Sequence, residues 1–169
     1  SRLATCGHIG NLQLWDTATG RELFKVEEAN TLYTLAFSPD EKQIIACGLD
    51  KDILIVDAKT GAEVRRLSGH ATGANTVAFS NDGKRLVSTG RDGVIKIWDA
   101  ETGLELLSFQ GNERTCYSAS FSPDSRRLVT TEIGLLRIWD AGVSPADPKV
   151  RREMAAAYNA LASELMACG

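Results

Sequence analysis

The sequence predicts an all-β fold of small sheets stacked face to face, followed by one α-helix. The stretch "DGVIKIWDAETG" at residue 92 returns as "IGNLQLWDTATG" at 9, "DKDILIVDAKTG" at 50 and "IGLLRIWDAG" at 133. Asp16, Asp57, Asp99 and Asp140 close those stretches at intervals of 41, 42 and 41 residues. A second landmark, "AFSPD" at 36, "AFSND" at 78 and "SFSPD" at 120, recurs every 42. Self-similarity at this period marks a repeat architecture whose unit is one supersecondary element. Within the unit, short apolar runs rich in β-branched and aromatic residues alternate with Gly, Asn, Asp and Ser clusters, which is the pattern of strands and turns.

Residues 69–111 show the unit in order. "NTVAFS" is a strand, and "NDGK" a turn with glycine where a positive φ is cheap. "RLVST" is a second strand, followed by the turn "GRDG". "VIKIWD" is a third, "AETG" a turn and "LELLSF" a fourth. Every connection is short, so sequence neighbours pair antiparallel and the unit is a four-stranded meander. On the third strand Ile95 and Ile97 share one face, and Lys96 and Trp98 the other. The counterparts of the first face are Leu12 and Leu14, Ile53 and Ile55, Leu136 and Ile138, all apolar. The other face mixes Gln13, Leu54, Lys96 and Arg137 with the terminal aromatic. The expectation is one fully buried face and one buried only at its end.

"SRLATCG" at the start aligns without gaps to "KRLVSTG" at 84, so the chain opens on a second strand. It then holds fourteen strands in residues 1–141: three, two full sets of four, and three. Residues 142–169 are a linker and a helix, with Asp147 as N-cap and Pro148 at the first helical position. Val150, Met154, Tyr158, Leu161 and Leu165 form one apolar stripe. That helix docks on the last sheet or binds a partner; Lys149, Arg151 and Arg152 at its start leave a membrane-surface helix as a third option.

Composition narrows the function. A chain of 169 residues, 43% hydrophobic and 24% charged, can build one packed domain. Net charge is −3, with Lys and Arg scattered as singles and pairs such as Arg65-Arg66 and Arg126-Arg127. No basic stripe points to nucleic acid. No apolar run reaches membrane-spanning length, and no signal peptide opens the chain. Cys6, Cys47, Cys116 and Cys168 lack metal-ligand spacing, so reduced thiols in a cytoplasmic protein are expected. The first residue is Ser1, so the chain is expected to be processed, tagged or cut from something longer.

Chemistry-bearing constellations are sparse. His8 and His70 are the only histidines, and His8 has no sequence-adjacent acid or nucleophile. Asp50-Lys51-Asp52 opens like a calcium loop, but the sixth position is not glycine and Gly61 stands at the twelfth, where Glu is required. "CGHIG" precedes a strand and not a helix, which argues against a phosphate loop. No catalytic, cofactor or metal site is expected.

The unit resembles the WD40 repeat of β-propellers, with Gly69-His70 and Trp98-Asp99 as its paired signatures. The regular "DAETG" and "FSPD" turns look like those of bacterial members. The resemblance implies a propeller sector of about three and a half four-stranded blades, the C-terminal part of a ring, with strands a to d running outward. The first blade lacks strand a and the last lacks strand d. It also implies a hydrogen-bonded tetrad of His70, Ser88, Asp92 and Trp98, complete in one blade only. The second blade has Glu28, Ala46, Asp50 and Val56 in those places; the fourth has Asn112, Thr130, Ile133 and Trp139; the first keeps Thr5 and Trp15 but has Ile9 for the Asp. Those three blades are expected to rest mainly on apolar packing.

The family's role implies a non-catalytic scaffold that binds other proteins or peptides at its top face. Tyr33, Asn75 and Tyr117 at the start of strand a map there. So do Leu49 and Arg91 before the turn Asp, with His8 and Glu132 as counterparts. A ligand-sensing or regulatory module of a larger multidomain protein, with an enzyme domain upstream, is the alternative. Bare edges and faces on the end blades are expected to drive self-association.

Overall fold

The structure is a computed structural model and describes residues 1–111, 115–132 and 135–140. The helix expected over 147–165, and the tetrad counterparts Asn112 and Ile133, lie outside the described residues. The first sheet holds β1 (Arg2–Cys6), β2 (Asn11–Asp16) and β3 (Glu22–Glu27). The second holds β4 (Leu32–Phe37), β5 (Gln43–Gly48), β6 (Asp52–Asp57) and β7 (Glu63–Ser68). The third holds β8 (Ala74–Phe79), β9 (Arg85–Gly90), β10 (Val94–Asp99) and β11 (Glu105–Gln110). The fourth holds β12 (Ser118–Phe121), β13 (Arg127–Glu132) and β14 (Leu135–Asp140). Every sheet is an antiparallel meander in chain order.

Two turn chemistries repeat because the backbone requires them. After each third strand an aspartate caps the turn. Asp16 Oδ1 accepts the amides of Ala18 and Thr19 and the Thr19 hydroxyl, and Asp57 and Asp99 do the same for Thr60 and Thr102. The turns then close on Gly20, Gly61 and Gly103, whose φ values of 71°, 74° and 76° glycine adopts without steric cost. Between first and second strands, the hydroxyls of Ser38, Ser80 and Ser122 donate to Asp40, Asp82 and Asp124. Positive φ falls on Glu41, Gly83 and Ser125, so only the third sheet uses glycine there.

Each seam between sheets joins two unlike faces. Leu12 and Leu14 of the first sheet pack on Ile44, Leu54 and Val56 of the second. Ile53 and Ile55 of the second pack on Leu86 and Trp98 of the third. Ile95 and Ile97 of the third pack on Leu128 and Trp139 of the fourth. The Ile-x-Ile face of each sheet therefore looks forward along the chain, and the Trp or Val face looks back. The sheets converge at their first strands, where β8 touches both β4 and β12. A guanidinium clamps two of the seams. Arg2 donates to the carbonyls of Ala58 and Glu41 and lies over Phe37; Arg85 donates to the Ser125 carbonyl and lies over Phe121. Gln43 occupies the same position in the second sheet.

Two expectations are corrected. The backward face is buried along its length in the inner sheets, because a neighbouring sheet covers it: Leu54 and Lys96 are both buried. Lys96 tolerates this because its Nζ donates to Glu105 Oε2 at 2.7 Å and to Ser108 Oγ at 3.1 Å. Leu136 and Ile138, expected inside, are 58% and 62% exposed, because no further sheet stands in front of the fourth among the described residues.

Equivalent side chains thus sit in opposite environments. Ile55→Ala should cost about 2–5 kcal/mol through the cavity it leaves, and Ile138→Ala within about 0.5 kcal/mol. Urea titration of dilute protein measures both; similar midpoints would refute the seam assignment.

Candidate interaction face and the polar networks beneath it

The third sheet brings the four expected tetrad residues together, with hydrogen bonds linking three of them. Trp98 Nε1 on β10 donates to Ser88 Oγ on β9 at 2.9 Å, and His70 Nε2 stands 2.8 Å from the same oxygen. Ser88 Oγ thus joins the indole to the imidazole. On the other side of the ring Nδ1 stands 3.6 Å from Asp92 Oδ1, too long for a hydrogen bond. Asp92 also accepts the amides of Ala71 and Val94, so it ties the approach to β8 to the turn before β10. Burial pushes the His70 imidazole below its ordinary pKa, and the Asp92 carboxylate only partly restores it. His70 is therefore neutral in the fold at neutral pH. Gly90 is required beside it: a Cβ there would lie 2.1 Å from Asp92 Oδ1 and 2.5 Å from His70 Nδ1.

The other sheets solve the same position differently. In the second, Glu28 takes the histidine's place and forms a two-pronged ion pair with Arg66 of β7, at 3.0 and 2.7 Å. The hydrogen bonds that Arg66 donates to Glu28, then to Glu63, raise its pKa and hold it charged. Asp50 accepts the Asn30 amide at 2.6 Å. In the first and fourth, Trp15 donates to Thr5 and Trp139 to Thr130, at 3.0 and 2.9 Å.

The candidate binding residues lie at the end carrying the β1–β2, β5–β6 and β9–β10 connections, here the upper end. Tyr33, Leu49 and Arg91 converge there. The Arg91 guanidinium lies over the Tyr33 ring at 5.7 Å, bridging the second and third sheets. The Arg91 amide donates to the Gly73 carbonyl, and the Leu49 backbone presses on Gly73, where a Cβ would come within 2.9 Å of Leu49 Cα. All three side chains are exposed. His8 is exposed too, and its carbonyl accepts the Thr31 hydroxyl. Tyr117 is exposed at the entry to β12, where its amide donates to the Thr131 carbonyl. Asn75 is half-buried and donates its amide to the Cys116 carbonyl, which ties the third sheet to the fourth.

Glu132 is corrected. It ends β13 at the position Gly90 holds in β9, and its side chain is fully buried, not presented at the surface. Among the described residues neither carboxylate oxygen has a hydrogen-bond partner, and the Arg137 Nε lies 3.6 Å away. The gapless alignment of "RLVTTE" with "RLVSTG" carried this signal, because it pairs Glu132 with a glycine. Ile9, treated in the sequence only as a lost Asp, is 80% exposed beside His8 and extends the upper face. Burial pushes the Cys116 thiol up to about 11 and raises Cys47 further, so neither is a ready nucleophile. Among the described residues no group of His, Cys, Asp and Glu could hold a metal ion, and no helix is long and apolar enough to cross a membrane.

Stacked meanders that converge on their first strands, pinned by a Trp–Ser–His network, define a repeat protein of the propeller type. The family model for "WD domain, G-beta repeat" matches residues 21–57, 61–99 and 103–140, and the chain belongs to the WD40-repeat family. It is 39% identical over 70 residues to "Transcription factor unc-37" of Caenorhabditis elegans, a match covering 41% of this chain and 11% of that protein. It is 36% identical over 72 residues both to "Transducin-like enhancer protein 2" of Mus musculus and to "Protein groucho" of Drosophila melanogaster. Those matches cover 41% of this chain and 9% and 10% of the relatives. The matched stretch is thus about a tenth of each relative's length.

Asp92→Ala should cost about 1–3 kcal/mol and more than Asp50→Ala, because it strips the amides of Ala71 and Val94 of their acceptor and removes the carboxylate that faces the buried His70 ring. Equal urea midpoints for the two variants would contradict this. His70 adds a pH dependence. Its folded pKa lies below the ordinary value of about 6.5, so the unfolded chain takes up the proton first as pH falls. Its stabilising contribution is complete above about pH 6.5 and declines as pH drops toward the folded value. Urea midpoints should fall between about pH 7.5 and about pH 5.5, and His70→Gln should flatten that slope.

Proposed function

We propose that the chain is a non-catalytic protein-interaction scaffold that takes partner proteins or peptides on its upper face. The observation that carries this is the exposed stack of Arg91 on Tyr33, with exposed Leu49 on the neighbouring turn, on turns held by backbone hydrogen bonds. Aromatic and arginine side chains supply most of the energy at protein interfaces, and a pre-ordered pair loses little side-chain entropy on binding. The fitting partner offers an apolar anchor beside a carboxylate: the anchor meets Tyr33 and Leu49, and the carboxylate meets Arg91. Membership of a repeat family that builds rigid binding surfaces supports the same reading. Cys6, Cys47 and Cys116 are unpaired thiols, which supports a reducing compartment, and cytoplasmic residence is part of the proposal.

The test is capture from an extract of the source cells with the chain as bait. The triple variant Tyr33→Ala, Leu49→Ala, Arg91→Ala should retain its melting temperature within a few degrees and lose at least tenfold of the specifically captured partner. Undiminished capture by a folded triple variant would remove the upper face from the function.

A further inference from the structure

We propose that His70 is a proton-operated latch beneath the upper face: when its imidazole takes up a proton, the turn that carries Arg91 re-forms and the stack of Arg91 on Tyr33 loosens. The connection between the two is short. Arg91 stands between Gly90, whose missing Cβ makes room for the His70 ring, and Asp92, whose carboxylate faces that ring. Two hydrogen bonds tie the segment after His70 to the same turn. The Ala71 amide donates to Asp92 Oδ2 at 3.1 Å, and the Arg91 amide donates to the Gly73 carbonyl at 3.1 Å. The segment that carries His70 and the turn that carries Arg91 are therefore coupled at two points.

The His70 side chain is fully buried, so a charge on it must be met by the groups around it. On the Nε2 side stand Ser88 of β9 and, through it, Trp98 of β10, neither of them charged. Lys96 of β10 and Glu105 of β11 act on the ring with opposite signs and are engaged with each other at 2.7 Å. Asp92 remains as the countercharge. Nδ1 has no hydrogen-bond partner, with Asp92 Oδ1 3.6 Å away. In the charged ring both nitrogens donate. Closing the gap from Nδ1 to the carboxylate draws Oδ1 off the Val94 amide, which it holds at 3.0 Å, and displaces the residue next to Arg91. The guanidinium lies over Tyr33 at 5.7 Å in an exposed contact, which is weak enough for a small displacement of the turn to break. With Tyr33 and Arg91 as the partner site proposed above, the latch releases the partner in acid.

NMR of the whole labelled chain tests this without a partner, so its failure leaves the binding proposal standing and a failed capture leaves the latch standing. The titration runs from about pH 8 to about pH 4.5, which brackets the ordinary histidine value and the lower range that burial favours. The Arg91 side-chain protons, held upfield by the Tyr33 ring, should move downfield with the same midpoint as the His70 ring protons. The movement should persist in His8→Gln, which leaves His70 as the only histidine, and vanish in His70→Gln. If His70→Gln does not fold, the coincidence of the two midpoints in wild type and in His8→Gln decides alone. Circular dichroism at each pH establishes that the fold persists. Unfolding before His70 titrates, an Arg91 profile flat through the His70 transition or with a different midpoint, or one unchanged in folded His70→Gln would overturn the inference.

Discussion

Face-to-face stacking of small twisted sheets is the constraint on which the rest of this structure depends. A meander of three or four short strands buries too little to stand alone, and its two faces can be covered only by neighbours. In the inner sheets that demand overrides the usual alternation of apolar and polar residues. Ile53, Leu54, Ile55 and Val56 are consecutive and all buried, because β6 is sandwiched between the first and third sheets. Where a polar side chain stands in such a sheet, the sheet supplies a partner. Lys96 meets Glu105, Gln13 meets Glu22 and Arg66 meets Glu63, each glutamate standing at the start of its sheet's last strand.

The same space behind each second strand is filled in chemically different ways. The third sheet uses a neutral histidine between Ser88 and Asp92, and the second a glutamate locked to Arg66. The fourth runs Glu132 into the space that glycine leaves open elsewhere. Its carboxylate is buried with one imperfectly placed cation, an arrangement that desolvation makes costly. What is common to all is occupancy of the volume; the hydrogen-bonded form is one solution among several. The expectation that three sheets rest mainly on apolar packing therefore understates the second, whose Glu28–Arg66–Glu63 triad is a polar network of its own.

Strand number, order and pairing were legible in the sequence because turn chemistry punctuates the chain every few residues and leaves no other connection. The tetrad was legible because it appears once in full, at His70, Ser88, Asp92 and Trp98. What the sequence could not show was which equivalent positions are covered. Leu136 and Ile95 look alike in pattern, and only the presence of a following sheet separates them. Glu132 was misplaced for a related reason. Its turn is one residue shorter than that of the third sheet, and an alignment on the turn, rather than on β13, moved a buried strand-end residue onto the surface. Tyr33 and Arg91 lie 58 positions apart, and their stacking follows from the register of two sheets rather than from local sequence.

The unequal fidelity of the repeats has a physical explanation. The Asp-x-x-Thr-Gly and Phe-Ser-x-Asp turns recur almost unchanged because they satisfy backbone donors at fixed geometry, and few residue types can do so. The networks and upper turns vary because their requirement is only to fill space or to face solvent. His8, Leu49 and Arg91 occupy comparable upper turns and share no chemistry. A scaffold whose lower turns are strict and whose upper turns are free can change what it presents without changing how it folds. That division leaves chemical variety to the upper turns, where the stacked Tyr33 and Arg91 stand on a frame that the repeated turns build.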